Sequence, residues 1–146
     1  MDQMMLRIME LDYNGYYCSQ ILLILALEAQ GKSDSDLVRA MGGLAHGLGT
    51  GNGTCGTLSG AACLLSLYAG KGSDQEYEDE NLKHMLRDLC DWFEQTFGRR
   101  YGDVTCDAIV GDRTEMRQRC GEVVARTWAR VVEILGAAGY DITAGR

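Results

Sequence analysis

An all-α, single-domain bundle of five or six helices with one glycine-rich loop is the fold this sequence predicts, on three observations. Proline is absent from its 146 residues, where average usage would supply about seven. Apolar residues recur at three- and four-residue steps and nowhere in a sustained two-residue alternation. Glycine, at 19 residues, is about twice as frequent as usual and gathers at the ends of the apolar runs, where helices stop. A length of 146 residues, with 46% hydrophobic and 24% charged residues, suits one ordinary core, so residues 1–146 read as a single domain.

The first predicted helix starts at Asn14 or Gly15, passes through Ile21–Leu27 to Gln30 and stops at Gly31. It is apolar on nearly every side, as a central helix must be. Ser33 or Asp34 caps a short helix from Ser35 to about Met41. From Gly42 to Gly56 glycine is too dense for a regular element, and a loop is expected. Thr54 is the expected cap of an apolar helix from Cys55 to Tyr68. After a polar, acidic stretch, Gly72 to Asn81, the spacing of Leu82, Leu86, Leu89, Phe93 and Phe97 predicts an amphipathic surface helix ended by Gly98. Asp103 is the expected cap of a short helix from Val104 to Val110. Asp112 is that of the last long one, with Met116, Cys120, Val123, Val124, Thr127, Val131 and Leu135 on its inner stripe.

Charge narrows the partners. A net charge of −7 repels a phosphate backbone, which argues against nucleic acid. The start Met1-Asp2-Gln3-Met4-Met5 places an acid where a secretory signal carries cations. The run Ile21–Leu27 is far shorter than the roughly 20 residues of a membrane span. The expectation is a cytoplasmic protein, not membrane-embedded; its apolar central helix is compatible with a homodimer.

Six cysteines in such a chain point to metal ligation or redox chemistry, because reducing compartments rarely keep structural disulfides. Cys18, Cys55 and Cys106 fall in or near the first turn of a predicted helix, where free amides and the macrodipole should lower a thiol pKa. Cys120 lies on the inner stripe of the last helix. Cys63 and Cys90, amid apolar neighbours, read as core fillers.

The segment Gly49-Thr50-Gly51-Asn52-Gly53-Thr54-Cys55-Gly56-Thr57-Leu58-Ser59-Gly60-Ala61, with Cys18 before it and Cys106 and Cys120 behind, resembles the C_GCAxxG_C_C family, which is named for presumed redox activity. The resemblance covers nearly the whole chain. It carries the four signature cysteines onto Cys18, Cys55, Cys106 and Cys120, and it departs at Thr57, where the family motif CGAxxG has alanine. Those four are the expected catalytic and metal-ligating residues. Gly53, Gly56 and Gly60 are the expected cofactor-binding positions, where backbone without a Cβ can bring N–H groups to sulfur.

Two chemistries follow. Four thiolates repel one another unless a cation neutralises them, and four cysteines are the usual ligands of an iron–sulfur cluster, which would make the protein an electron carrier or sensor serving an unidentified redox partner protein. The alternative is metal-free thiol–disulfide exchange, with Cys55 as attacking thiolate, although no C-x-x-C is present. The paired cysteines of structural zinc are also missing.

Other signals are weaker. Gly31-Lys32-Ser33 resembles the end of a phosphate loop, but that motif needs glycine where Ala26 stands. His46 reads as an ordinary loop histidine, with hydrogen bonding to sulfur or proton relay as its functional reading. His84 should face solvent. Tyr16 and Tyr17 read as core aromatics more readily than as shields over the cysteine site.

Overall fold

The structure, a computed structural model, describes residues 2–146. It contains seven helices and, among the described residues, no strand. They are α1 (Gln3–Tyr13), α2 (Cys18–Ala29), α3 (Ser35–Met41), α4 (Gly56–Ala69), α5 (Leu82–Phe93), α6 (Cys106–Val110) and α7 (Met116–Ala137). The all-α expectation holds; the count of five or six is one or two short.

Helix α1 is the unanticipated one. The Asp2 side chain caps it by accepting from the Met5 amide at 2.7 Å, and Ile8 and Leu11 bury themselves against the bundle. Its outer face also carries Leu6, Met9 and Tyr13, all exposed. Apolar residues on two faces blur the periodicity that announces a helix. The next helix consequently starts at Cys18, three or four residues later than expected, with Gln20 accepting from the Tyr17 amide.

Helices α2 and α4 make the most extensive contact in the molecule, and α4 also packs against α5 and α7. Their axes approach closely because Gly60 has no side chain: a Cβ there would stand 3.0 Å from the Ser19 Cα. Leu22, Ala26, Ala61, Leu64 and Leu65 are essentially fully buried at this seam. Of the predicted stripe, Leu82, Leu89, Phe93 and Phe97 are buried and Leu86 is half-buried. Gly98 does not end that helix. The chain continues through a wide π turn, Glu94–Gly98, and a last helical turn, Arg99–Tyr101, and stops at Gly102, whose φ of +97° favours glycine.

Three caps also differ from expectation. Cys55, not Thr54, is the N-cap of α4. Thr105, not Asp103, caps α6, accepting from the Ala108 amide at 3.2 Å. Asp112 caps a short 3₁₀ turn, Arg113–Glu115, and α7 begins only after it. In each case the N-cap position falls on a residue nearer the helix, and only Thr105 caps with its side chain. The glycine-dense stretch is likewise more ordered than a plain loop. Gly42–Leu44 forms a 3₁₀ turn, and the following four-residue turn, Ala45–Leu48, is left-handed at His46, Gly47 and Leu48.

Among the described residues, no helix is long and apolar enough to cross a membrane.

Candidate functional site

The starts of α2, α4, α6 and α7 meet at one end of the bundle, and each brings a cysteine. Cys18 is the first residue of α2, Cys55 the N-cap of α4, Cys106 the first residue of α6 and Cys120 the fifth residue of α7. Cys55 is buried and the other three are half-buried.

Backbone pairing sets the register between two of these cysteines. Thr54 and Thr105 form an isolated antiparallel β-bridge. Beside it the Cys55 amide donates to Val104 O at 2.7 Å and the Cys106 amide to Gly53 O at 3.0 Å. The Asp107 amide extends the seam to Gly51 O at 2.9 Å. Two cysteines far apart in the chain are thereby held side by side.

The expected cofactor-binding glycines have three different neighbours. A Cβ on Gly56 would stand 2.9 Å from the Cys18 sulfur, so this glycine lies against the thiols. Gly53 instead backs onto Gly47, where a Cβ on either would come within 2.6 Å of the other's carbonyl oxygen. Gly60 serves the α2–α4 seam. Of the three, Gly56 is the one placed next to a signature sulfur.

The thiols feel one another. Burial, together with the charges of Cys55 and Cys106, pushes the Cys18 thiol up to about 11. Burial together with Cys55, Cys18, Cys106 and Asp12 pushes Cys120 up to about 12. Burial raises Cys55 as well, and Cys106 is raised by burial, Cys55 and Asp107. Each of the four thiols thus feels the other three. The expected fall in thiol pKa is therefore overturned. The helix-start amides of Ser19 near Cys18 and of Thr57 and Leu58 near Cys55 oppose the rise, but burial outweighs them.

All six cysteines are free. Among the described residues, no three histidine, cysteine, aspartate or glutamate side chains are gathered closely enough to hold one metal ion. The four thiols are neighbours without being the closed shell of a single ion, which for zinc would need sulfurs about 2.3 Å from one point. In number and kind the donors fit an iron–sulfur cluster: four free thiols, two of them beside helix-start amides.

Cys63 and Cys90 are not core fillers; both are exposed. Cys63 lies on the outer side of α4, which turns Leu58, Ala61, Leu64 and Leu65 inward. Tyr16 and Tyr17 are exposed too, contrary to their reading as core aromatics, because they precede α2 at the rim of the bundle. His84 is exposed, as expected. His46 is exposed and packs edge-on against Tyr17, with ring centroids 4.8 Å apart. Sequence reasoning missed Thr57 as a site residue. It is 1% exposed, and it opposes the rise in pKa of both the Cys18 and the Cys55 thiols. The departure from the motif was the signal.

Fold and site define a class: an all-α protein that gathers four free cysteines from four helix starts. Residues 16–134 match the family model "Putative redox-active protein (C_GCAxxG_C_C)", and the chain belongs to that family. No curated protein and no solved structure matches it.

Proposed function

We propose that Cys18, Cys55, Cys106 and Cys120 act as one redox centre and hold an iron–sulfur cluster, so that the protein serves as a small electron carrier or sensor for a redox partner protein. The observation that carries this reading is the convergence of four cysteines, from four separate elements, at one end of the bundle. Buried thiols that raise one another's pKa ionise together only when a cation takes up their charge, which a cluster does. When bound, a cluster would supply one-electron exchange. The chain's own residues would exclude water through the α2–α4 seam and keep the Ser19, Thr57 and Leu58 amides beside the sulfurs.

The test is a visible absorption spectrum of protein purified without oxygen, with iron and acid-labile sulfide analysis. A brown sample whose bands bleach on reduction, and that is colourless as Cys55→Ser, is the expected result. A wild-type sample that stays colourless after reconstitution with iron and sulfide would sink the cluster.

A second reading has its own observation: Cys18 and Cys55 are free thiols close enough for the charge of one to raise the pKa of the other. Their oxidation would form one S–S bond, releasing two protons and passing two electrons to an oxidant such as a disulfide. Here the metal-free protein loses two thiols reversibly in a glutathione redox buffer; an unchanged count removes this reading.

A further inference from the structure

Helix α6, which carries Cys106, has only five residues and is too short to hold its shape alone. Its start is fixed by backbone, through the carbonyls of Gly53 and Gly51, and its middle by Ile109, which is buried. Its end is fixed by one side chain from another helix. The last carbonyls of a helix lack partners of their own, and those of Ile109 and Val110 accept from Nη1 of Arg119 at 3.2 and 3.4 Å.

Arg119 stands immediately before Cys120 in α7. Its guanidinium lies 4.6 Å from the centroid of the Tyr101 ring, within the range of a cation–π contact, and its Nη2 is 3.5 Å from Glu115. Tyr101 is in turn stacked on the buried Phe97. Gly111, whose φ of +56° turns the chain out of α6, leaves the guanidinium its room: a Cβ there would stand 2.7 Å from Nη1. One side chain, only 23% exposed, thus joins the end of the Cys106 helix, the helix of Cys120 and the turn Arg99–Tyr101. Arg126, two turns further along α7, lies instead over Phe97 and beside Glu122.

We propose that Arg119 is a positioning residue: it fastens the end of the Cys106 helix to the helix that carries Cys120, and so fixes where Cys106 stands among the four cysteines. The inference rests on the reading of those cysteines as one centre. It adds that the place of Cys106 is set at both ends of α6, by backbone at the start and by a single guanidinium at the finish. A guanidinium can lay its face on Tyr101 while its edge donates to carbonyls, whereas an ammonium is a point charge and cannot do both.

The test compares Arg119→Met, Arg119→Lys and, as a control that removes a similar side chain from the same helix, Arg126→Met. All are made in a Cys63→Ser/Cys90→Ser background so that only the four signature thiols report. In metal-free protein, hydrogen–deuterium exchange is read by mass spectrometry over α6 and over the interior of α4, and iodoacetamide modification is followed separately at Cys106 and Cys18. In Arg119→Met, exchange over α6 and modification of Cys106 both rise about tenfold, the usual worth of a hydrogen bond to a charged group, while α4 and Cys18 keep the parent's rates. Arg119→Lys falls between the two, and Arg126→Met matches the parent. After reconstitution with iron and sulfide, Arg119→Met retains less of both than the parent does. Unchanged rates at α6 and Cys106 in Arg119→Met, an equal rise at α4 and Cys18, or the same rise in Arg126→Met overturns the inference. Should Arg119→Met not fold, the same selective rise, smaller, is required of Arg119→Lys. Failure of the parent to assemble any centre counts against the proposed function alone, because exchange and modification in metal-free protein are read independently.

Discussion

The two ends of α4 are built in opposite ways. At its start, contacts are made by backbone: the Thr54–Thr105 bridge, the amide on Val104 O, and glycines 47 and 53 pressed together with no room for a Cβ. At its far end, about 20 Å away for a 14-residue helix, contacts are made by side chains. The Tyr68 hydroxyl donates to Ile142 O at 2.8 Å, the Tyr140 hydroxyl donates to Asp79, and the Arg146 guanidinium donates to the carbonyls of Gly70 and Tyr77. Ala40 to Gly70 contains no Asp, Glu, Lys or Arg, so the cysteine end has few charged side chains to spend on such clasps. An end made of backbone tolerates no added atom; an end made of side chains loses its contacts one at a time.

The sharpest way to break this contrast is Gly53→Ala. The new Cβ would meet the Gly47 carbonyl, which cannot swing aside as a side chain would, and a loss of about 2–3 kcal/mol is expected by urea denaturation. The four signature thiols should become accessible at the same time; a variant with native stability would refute the backbone account of this end.

A smaller cost is expected at the clasp. Removing the Tyr140 hydroxyl in Tyr140→Phe should lower the melting temperature modestly, and the pH dependence identifies the cause. Asp79 is held below the usual carboxylate range chiefly by Tyr140, so its contribution is present above the unfolded pKa and lost as pH falls through the depressed one. Tyr140 is raised by burial and by Asp79, so its contribution is present below the unfolded tyrosine pKa and lost as pH rises through the raised one. The melting difference between wild type and Tyr140→Phe should therefore be flat between about pH 4 and 10, and shrink at both extremes. A difference that changes within that window would place the effect elsewhere.

Away from both ends, Gly136 is an exposed helix position where an added methyl would meet only open space. Gly136→Ala should stabilise by about 0.5–1 kcal/mol in the same denaturation experiment, through helix propensity alone. Smallest of all is Cys63→Ser/Cys90→Ser. Both thiols are exposed, and the double variant should leave stability and the centre unchanged while removing the two fastest-reacting thiols from a native thiol assay.

Much of this was legible in the sequence because burial imposes periodicity. The all-α class, the α5 stripe and the central apolar helices follow from spacing, as do the helix-start positions of Cys18, Cys55 and Cys106. What spacing hides is competition. Leu6, Met9 and Tyr13 put apolar residues on the solvent side of α1 and disguise it, while Ala62 and Leu64 around Cys63 suggest burial that the helix rotation denies. The thiol pKa is similar: the helix start is visible in the sequence, but the burial that overrides it depends on which elements fold over the site. The Gly47–Gly53 contact is a tertiary approach with no local signature beyond the density of glycine.

The bridge between Thr54 and Thr105 also has a meaning in time. A ribosome releases Cys18 and Cys55 long before Cys106 and Cys120, and synthesis runs at about 5–20 residues per second. During that interval Cys55 lacks its backbone partner at Val104, and both early cysteines lack their neighbours Cys106 and Cys120. The gathering of all four cysteines is therefore a late event, completed only when the segment that carries Cys106 and Cys120 has folded back onto the start of α4.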